Sequence, residues 1–534
     1  MSFPMPPTTP SGEAPSSLPP LAGALLLTLT GALLLLRLGS VPLLGPDEPR
    51  YVRVAVEMHR NGAWVTPTLA GAPWLEKPVL YYWLAGAAFS VFGEGEAAAR
   101  LPSVFAALLL VGATALFGTR LYGRPAGLHA GFILATSLLF FAFGRAASMD
   151  MLLAAFVTVA IGLVALGTLR IAGRLAIPVA WGFAGLATLA KGPIGLLLPA
   201  LVLAVYVLLT RDWRLLRRLL SPAGIVLFLL VAGPWYALIY RAQGQEFLDV
   251  FLLNHNIQRF TSTVHNHPGP VVYYIPVLLA GLFPWSGLVF PAFGAARPRT
   301  SKADLFVLLW LVVPFVFFTA AGSKLPGYIL PCLVPLALLM GRGAAELVRD
   351  RALPFGTGPR AVALVGLVLG SLVATTPILV RRIGEPGWML MAPAAAWSLI
   401  VVFGASRALS RDAAGAFQLL RVGGAGFLVL LTSAAPAILA RQQSGRDLFI
   451  PAQGREVLVW GAWRTAWMAG YYYNDGRVRE VPSLAAIAEA ASKEPVLVLA
   501  GPSERRQLGA ATSLEALPLA TDYRGDTLLK VKTR

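Results

Sequence analysis

The sequence predicts a polytopic α-helical membrane protein with a small α/β domain at its C-terminal end. Of its 534 residues, 57% are apolar and only 13% are charged, whereas a soluble protein of this length is about one quarter charged. Apolar stretches long enough to cross a bilayer recur almost to residue 440. Beyond that point they stop, and short apolar runs typical of strands alternate with helical segments.

This pattern divides the chain into three segments. Residues 1–20 are rich in Pro, Ser and Thr, a composition that predicts a disordered cytoplasmic tail. They do not read as a signal peptide, because its basic start is missing. Residues 21–440 predict the membrane domain, whose first external loop covers residues 39–100. Residues 441–534 predict an external α/β domain without a phosphate loop or a dinucleotide fingerprint, and we assign it a capping or acceptor-docking role.

Within the membrane domain we predict about thirteen spans from hydropathy and length. Segment 80–92 is too short to cross comfortably and carries aromatic residues at one end, so we place it in the membrane interface. The predicted spans are 21–38, 101–118, 125–143, 149–169, 175–190, 192–209, 222–240, 270–290, 304–321, 326–341, 361–380, 388–404 and 414–440.

The net charge of +18 reflects topology. With the N-terminus inside, the basic residues concentrate in loops that this orientation places in the cytoplasm, as the positive-inside rule requires. Nucleic-acid binding would need a soluble basic face instead. The single cysteine, Cys332, lies in an apolar span and can form no disulfide within the chain.

The same orientation collects the unusual polar segments on the opposite side of the membrane. They are the 39–100 loop, GRAASMD at 144–150, LAKGP at 189–193, the 241–269 loop and GSKLPGY at 322–328. Charge next to a span is costly unless it is paired, solvated or functional. The topology therefore predicts a single external site.

Lysine placement agrees with this site. The chain has seven lysines against 37 arginines, and Lys77, Lys191 and Lys324 lie in the external segments. A Lys ammonium is a compact charge suited to phosphate. Snorkelling towards lipid headgroups explains the same placement, and it explains Lys191 better than the other two.

The first loop opens with Asp47-Glu48-Pro49-Arg50. Proline and acids suit the first turn of a helix, and Gly62 fits the end of that helix. Capping needs only one acid, so Asp47 and Glu48 are candidate catalytic residues as well as candidate caps.

The stretch WVTPTLAGAPWLEKP predicts a short hairpin that turns near Gly71. The hairpin would return Glu76 and Lys77 to the membrane surface. Tyr81 and Tyr82 follow there, where a ligand contact and an interfacial aromatic belt are equally consistent with the sequence.

Asp150 stands at the mouth of a predicted span, after Arg145. A second carboxylate near Asp47 could share the work of a general base or position a sugar. A surface ion pair between Arg145 and Asp150 explains its presence equally well.

The 241–269 loop contains His255, His265 and His267. The spacing of the last two permits a metal, but a clear ligand set is missing and hydrogen-bonded loop histidines fit better. Arg259 in the same loop is a candidate for binding an anion. Together with Lys77, Lys324 and Tyr328, Arg259 could hold one phosphate at the outer membrane surface, as expected for a lipid-phosphate leaving group.

These motifs resemble those of a known family. DEPRY, WLEKPVLYYWL, AARLPS, LAKGPIG, HNIQRF, HPGP followed by FPW, and SKLPGYILP are similar to the motifs of the bacterial lipid A 4-amino-4-deoxy-L-arabinose transferases. Those enzymes are GT-C glycosyltransferases related to the protein O-mannosyltransferases. The resemblance covers essentially the whole chain and implies the GT-C fold.

The resemblance implies inverting transfer of a sugar, 4-amino-4-deoxy-L-arabinose or a hexose, from undecaprenyl phosphate or another polyprenyl phosphate. It implies a bacterial inner-membrane protein with a periplasmic active site and lipid A or another glycolipid as acceptor. No cofactor is firmly implied, and a divalent metal is compatible but not required. The site residues implied are Asp47 and Asp150 as catalytic acids, Lys77, Arg259 and Tyr328 as phosphate contacts, Arg50 and Lys324 as weaker ones, and Glu76 and His255 as polar or metal contacts.

Two other functions stay open at this point. A related enzyme could glycosylate protein Ser or Thr, although the large inserted domain of many eukaryotic protein O-mannosyltransferases is missing. A transporter or flippase of lipid-linked sugars is the non-enzymatic alternative, but transporters place polar groups near the bilayer midplane, often with internal repeats.

Overall fold

A computed structural model describes residues 20–258, 269–350, 400 and 413–534. Residues 1–19 of the predicted tail, the predicted span 361–380 and all of span 388–404 except residue 400 lie outside the described residues.

The first loop folds largely as the sequence predicts. Helix α1 (Pro20–Leu35) leads into α2 (Asp47–Asn61), which carries Asp47 and Glu48 in its first turn and ends at Gly62 with a left-handed φ of 64°. Only glycine adopts that conformation at little cost. The predicted start and end of this helix are both confirmed.

The predicted hairpin is also confirmed. Strand β1 (Thr68–Leu69) pairs antiparallel with β2 (Ala72–Pro73). The two residues between them, Ala70 and Gly71, have φ values of 53° and 80°, as a tight two-residue hairpin turn requires. The chain then enters α3 (Leu80–Phe92), the segment predicted to lie in the interface.

The membrane domain continues as a helical bundle. The predicted span 125–143 is bent, because its two helices, Arg124–Ala135 and Leu138–Gly144, meet at an angle of 64°. The helices are α4 (Glu96–Tyr122), α5 (Arg124–Ala135), α6 (Leu138–Gly144), α7 (Asp150–Thr168), α8 (Ala176–Lys191), α9 (Ile194–Thr210), α10 (Trp213–Leu219), α11 (Pro222–Phe247), α12 (Tyr274–Gly281), α13 (Val289–Ala295), α14 (Lys302–Ala320), α15 (Leu330–Asp350) and α16 (Ala413–Gln443). Residues Leu248–Gln258 after α11 form π-helical turns.

Six of the described helices are long and apolar enough to cross a membrane, or eight spans if each bent pair counts as one. The 18-residue apolar stretch that could cross the membrane is 78% buried in α7 but only 22% buried in α11. Helix α7 therefore lies at the centre of the bundle. Helix α11 presents exposed apolar side chains such as Leu229, Leu230 and Leu238, which a bilayer would cover.

Close helix contacts in the bundle use glycine. A Cβ added at Gly127 in α5 would collide with the Ala115 carbonyl oxygen in α4, and one at Gly341 in α15 would collide with the Ala126 carbonyl oxygen. Small residues let membrane helices approach backbone to backbone. The packing of α4, α5 and α15 therefore depends on these positions.

The two ends of the bundle differ in chemistry. Helix α4 runs away from the first loop and ends at Tyr122. The guanidinium of Arg342, in the second half of α15, lies 5.2 Å from the Tyr122 ring centroid. Arg342 forms an ion pair with the fully buried Asp304 at the start of α14. Asp304 also accepts a hydrogen bond from the Arg297 amide at 2.8 Å. This cluster closes the end opposite to Asp47.

The C-terminal residues form an α/β unit around a five-stranded mixed sheet of order β4-β3-β5-β7-β6. Strand β3 lies parallel to β4 and β5, while β7 is antiparallel to both β5 and β6. The elements are α17 (Arg446–Phe449), β3 (Val457–Trp460), α18 (Arg464–Tyr473), β4 (Val478–Glu480), α19 (Leu484–Lys493), β5 (Val496–Ala500), α20 (Pro502–Ala510), β6 (Leu514–Thr521) and β7 (Thr527–Thr533).

Helix α18 attaches this unit to the first loop, where it packs against α2. The Tyr473 hydroxyl accepts a hydrogen bond from the Leu43 amide at 2.7 Å and donates one to Glu96 at 3.2 Å. Asp475, just after α18, forms ion pairs with Arg53 and Arg60 of α2. The C-terminal unit is thus fastened next to Asp47.

Candidate active site

Asp47 lies at the first position of α2 and forms an ion pair with Arg50 one turn later. The Asp47 side chain is 49% exposed, whereas that of Arg50 is 8% exposed. Arg50 also donates from Nε to the Pro46 carbonyl at 3.0 Å, and its guanidinium lies 5.4 Å from the Trp74 ring centroid. These contacts hold Arg50 rigidly and orient the accessible carboxylate of Asp47.

The electrostatic surroundings keep Asp47 ionised. Burial opposes ionisation, but the Arg50 guanidinium outweighs it and, with smaller contributions from Lys77 and Arg464, lowers the pKa of Asp47 from 3.8. An opposite charge at short range favours the charged form of a carboxyl group. Asp47 is therefore a carboxylate at neutral pH.

The hairpin brings Glu76 and Lys77 within electrostatic range of Asp47 and Arg50. The sequence predicted only their return to the membrane surface. Lys77 is 8% exposed, and its charge reaches Asp47. Burial lowers the pKa of Arg50, but Asp47, Tyr51 and Glu76 together raise it above its ordinary value. Asp47, Arg50, Glu76 and Lys77 consequently form one cluster of alternating charge.

Glu57 holds the hairpin in place, a role that sequence reasoning missed. Its buried carboxylate accepts hydrogen bonds from the Thr68 hydroxyl at 2.7 Å, the Ala70 amide at 2.8 Å and the Gly71 amide at 3.1 Å. Arg53 donates to it at 2.6 Å from one turn earlier in α2. The spacing of four residues between Arg53 and Glu57 was the signal available in the sequence.

A second cluster forms where α7, α8 and the turn before α15 meet. Asp150 at the start of α7 makes an ion pair with Lys191 at the end of α8. The Lys191 ammonium lies 4.6 Å from the ring centroid of Tyr328, in the range of a cation–π contact. A Cβ on Gly327 would lie 2.9 Å from the Asp150 carboxylate, so only glycine permits this approach.

Two interpretations of this cluster are wrong. Arg145 does not pair with Asp150. It donates to the Leu34 and Leu36 carbonyls at 2.7 and 2.8 Å, where it caps the end of α1. Lys191 does not simply reach towards lipid headgroups, because its ammonium is engaged by Asp150.

Tyr51, one helical turn after Asp47 in α2, is influenced by the charges of both clusters. Its pKa is raised well above the ordinary value, first by burial and then by the negative charges of Asp47 and Asp150. One buried phenol therefore lies within electrostatic range of both acids. The two clusters are therefore coupled electrostatically through Tyr51, a residue that was not singled out from the sequence.

Glu48 belongs to the framework of the site. Its carboxylate is buried and forms an ion pair with Arg100 at 2.9 Å. It also accepts from the amides of Leu44 at 2.7 Å and Ala147 at 2.5 Å. With its oxygens occupied in this way, Glu48 fixes the loop instead of facing a substrate, which corrects its assignment as a catalytic residue.

Arg100 completes this framework from α4. It is 2% exposed and donates to the carbonyls of Leu38 at 2.9 Å, Val41 at 2.6 Å and Pro42 at 2.8 Å. These carbonyls belong to the loop between α1 and α2, so the Glu48–Arg100 pair sets the position of Asp47.

Tyr81 and Tyr82 are fully buried, so an interfacial aromatic belt does not explain them. The Tyr81 hydroxyl donates to the Ala99 carbonyl at 2.9 Å, and the Tyr82 hydroxyl accepts from the Trp74 indole at 3.0 Å. Tyr81 therefore packs α3 against α4, which corrects its assignment as a ligand contact. Tyr82 supports Trp74 beneath Arg50.

Lys324 is also turned into the protein. Its ammonium donates to the Ala321 carbonyl at 2.7 Å, and the side chain is buried against Gly269. A contact with phosphate stays a prediction for this residue. Arg259 and the side chain of His255 lie outside what the structure describes, as do His265 and His267. Among the described residues, no group of three or more His, Cys, Asp or Glu side chains could hold a metal ion.

An apolar cavity of about 630 Å³ adjoins the framework pair. Glu48, Arg100 and Arg145 contribute its charged wall, while α6 and α16 supply mostly aliphatic and aromatic side chains such as Phe141 and Leu431. Such a lining suits a hydrocarbon chain.

Sequence comparison assigns the chain to a family. The chain is 34% identical over 380 residues to the undecaprenyl phosphate-alpha-4-amino-4-deoxy-L-arabinose arabinosyl transferase of Pectobacterium atrosepticum, a match that covers 69% of this chain and 67% of that protein. The chain belongs to this arabinosyl transferase family. A second member, from Pectobacterium carotovorum, is 35% identical over 370 residues, which span 66% of this chain and 64% of that relative.

A family model that matches a shorter part of the chain and two solved structures agree with this assignment. Residues 76–237 match the family described as dolichyl-phosphate-mannose-protein mannosyltransferase. The crystal structure of ArnT from Cupriavidus metallidurans in the apo state has a TM-score of 0.74 at 25% identity and covers 96% of this chain and 97% of that one. The same protein bound to undecaprenyl phosphate gives 0.76 at 24% identity, with the same coverage. This arabinosyl transferase homologue is thus a multi-pass membrane protein with the GT-C fold.

Proposed function

We propose that the protein is an integral-membrane glycosyltransferase that moves 4-amino-4-deoxy-L-arabinose, or a related sugar, from undecaprenyl phosphate to lipid A or another glycolipid. One observation carries this proposal: the ionised Asp47 and the Asp150–Lys191–Tyr328 cluster share one site at one end of an apolar bundle. A lipid-linked anion and an acceptor nucleophile need this combination of cations and carboxylates at a membrane surface.

The proposed orientation places this site on the periplasmic face of a bacterial inner membrane. The basic loops at the opposite end favour the cytoplasm, and the thirteen predicted spans then put the C-terminal unit outside with the site. The fold supports this arrangement because Asp47, Asp150 and α18 lie together, while the Arg342–Asp304 cluster lies at the far end.

Cations in the site would hold the donor phosphate. We assign this role to Lys77, Lys191 and the Tyr328 phenol, with Arg259 as a further predicted contact. Arg50 is held by Asp47 and Pro46, so its role is to orient Asp47. The apolar cavity beside Arg100 would take a lipid chain of one substrate.

In the proposed reaction an acceptor oxygen attacks the anomeric carbon of the sugar from the side opposite the phosphate. The new bond joins this oxygen to the anomeric carbon, and the bond to the phosphate oxygen breaks with its electron pair. The lipid phosphate leaves with the added negative charge, which the nearby ammonium and phenol groups stabilise. The configuration at the anomeric carbon is inverted.

Asp47 would orient the acceptor or accept its proton. A phosphate acceptor has a second pKa of about 6 and needs no strong base, so Asp47 then acts mainly by position. In either case the ionised form is the active one. Asp150 would position the sugar while it holds Lys191 near the leaving group.

A transfer assay tests the proposed function. Purified protein is incubated with a panel of radiolabelled undecaprenyl-phosphate sugars and with total membrane lipid and protein as acceptors. We expect label in the lipid fraction, and the active donor identifies the sugar. Absence of label from both fractions under conditions where the donor binds would refute the enzyme and favour a transporter, which a counterflow assay with donor lipid would detect.

Protein glycosylation is the second candidate. The match of residues 76–237 to the dolichyl-phosphate-mannose-protein mannosyltransferase family favours it over a transporter of lipid-linked sugars. Label in the protein fraction of the same assay, and not in lipid, would support protein glycosylation and refute transfer to a glycolipid.

Acid should protonate Asp47 only at low pH. Because Arg50 lowers the pKa of Asp47 from 3.8, Asp47 stays ionised above that value, and its contribution is lost as the pH falls through the lowered pKa. We expect the Arg50→Gln variant to lose activity at a higher pH than the wild type. The kcat/KM profile between about pH 3 and 6 measures this shift, and identical acid limbs would contradict it.

Removing the Lys191 ammonium should weaken donor binding. A charge-assisted hydrogen bond contributes about 1.5–3 kcal/mol, so we expect Lys191→Met to raise the KM for donor lipid by about tenfold or more, with little change in the KM for acceptor. Lys302→Met, at an exposed lysine of the opposite end, is the matched control. An unchanged donor KM in Lys191→Met would remove Lys191 from the phosphate site.

A further inference from the structure

Helix α18 of the C-terminal unit presents three residues on one face. Arg464, Trp467 and Tyr471 are spaced by three and four residues, which places them in line along a helix. The rings of Trp467 and Tyr471 lie 5.9 Å apart. Both rings are only partly buried, and Arg464 is exposed. The face combines one cation with two aromatic surfaces.

The attachments of α18 aim this face at Asp47. Asp475, beyond the C-terminal end of α18, pairs with Arg53 in the middle of α2. Helix α18 packs against α2, whose first residue is Asp47. The α18 face therefore lies on an element in direct contact with the helix that carries Asp47.

Electrostatic effects agree with this placement. The charge of Arg464 contributes to lowering the pKa of Asp47. Burial raises the pKa of Tyr471, and the nearby Arg50 partly offsets that rise. Both ends of the α18 face are therefore within range of the Asp47–Arg50 pair.

Arg464 is available to bind an anion. Within the part of the chain that the structure describes, it forms no ion pair. Other cations of the α18 region are engaged: Arg53 pairs with Glu57 and Asp475, and Arg524 lies 3.3 Å from the Trp463 ring centroid. An exposed arginine beside two aromatic rings matches a phosphorylated sugar, because a guanidinium binds phosphate bidentately and aromatic rings cover apolar sugar faces.

The position of this face distinguishes acceptor from donor. The proposed donor contacts, Lys77, Lys191 and Tyr328, come from the hairpin and from the helix ends of the bundle. Helix α18 approaches Asp47 from the C-terminal unit, whose described elements contain no membrane-spanning helix. A group bound to α18 would therefore reach Asp47 from a different element than those that carry the proposed phosphate contacts.

We infer that Arg464, Trp467 and Tyr471 form a subsite for the phosphorylated sugar head group of the acceptor, with Arg464 on its phosphate. The inference rests on the proposed function and deepens it, because it names the acceptor class and assigns the C-terminal unit a part in selecting it. The subsite presents the acceptor oxygen to Asp47.

Binding measurements on the full-length protein in detergent test this subsite without requiring turnover. The probes are lipid A, enzymatically dephosphorylated lipid A and undecaprenyl phosphate. We expect the wild type to bind lipid A more tightly than its dephosphorylated form. Arg464→Ala should lose about tenfold in affinity for lipid A, abolish that preference, and leave binding of undecaprenyl phosphate unchanged. Arg464→Lys should retain part of the preference because it keeps the charge.

Arg506→Ala is the matched control, since Arg506 is an exposed arginine on α20 of the same unit. The control should keep the full preference. Equal binding of both lipid A forms by the wild type, or an unchanged preference in Arg464→Ala, would overturn the inference. A parallel loss of undecaprenyl phosphate binding would also overturn it by assigning Arg464 to the donor. If the preference behaves as expected but no sugar is transferred, the proposed function fails while the subsite stands.

Discussion

Asp47→Asn is expected to reduce sugar transfer by at least about a hundredfold, the usual contribution of a positioned acid or base. Asparagine has nearly the same shape but cannot carry the negative charge or accept a proton. The affinity for donor lipid should change little, because the proposed phosphate contacts are other residues. Initial rates at saturating donor and acceptor measure the loss.

The same substitution should leave the fold intact. Asp47 is about half exposed, and its buried partner Arg50 keeps its hydrogen bond to the Pro46 carbonyl and its contact with the Trp74 ring. An asparagine amide oxygen can still accept a hydrogen bond from Arg50, so we expect only a small loss of stability. Thermal unfolding in detergent should therefore nearly match that of the wild type. Asp447→Asn changes an exposed carboxylate of the C-terminal unit and serves as the control. Full activity of Asp47→Asn would remove Asp47 from the catalytic role.

Glu48→Gln is expected to have the opposite pattern: a large loss of stability. Glu48 and Arg100 have side chains that are only 9% and 3% exposed. Removing one partner of a buried pair leaves an uncompensated charge, which costs about 3–5 kcal/mol. A fall in the temperature of unfolding and in the yield of folded protein measures this effect.

Glu515→Gln is the control for Glu48→Gln, because it also removes one carboxylate of an ion pair. Glu515 pairs with Lys532 at 3.1 Å, but both side chains are about half exposed, so this variant should unfold at nearly the wild-type temperature. If Glu48→Gln were as stable as the wild type yet inactive, Glu48 would be a catalytic residue and our structural assignment would be wrong.

Local features of the sequence were sufficient for much of the fold. Apolar length predicted the helices within the described bundle, and Gly62 and Gly71 predicted the end of α2 and the hairpin turn. Such signals depend on a few neighbouring residues, whose backbone preferences act in the same way wherever the segment is placed. These signals also placed Asp47 and Lys77 in the same external loop.

The partners of the charged residues did not follow from local features. Glu48 and Asp47 are adjacent in sequence, yet one is buried against Arg100 and the other is accessible. Adjacent side chains on a helix point in different directions. Arg100, which pairs with Glu48, lies 52 positions away along the chain. Asp150 similarly pairs with Lys191, 41 positions away, and not with the nearby Arg145.

The sequence by itself determined that this protein is a multi-span membrane protein with its reactive residue types gathered in one set of loops, because hydropathy, charge and turn chemistry are properties of short segments. Only the tertiary structure decided which carboxylate is accessible and which is buried in the framework. It also brought α18 against α2 through the pair of Arg53 and Asp475, 422 residues apart. Contacts of this range form only when whole helices pack, since packing alone determines which distant charges come together.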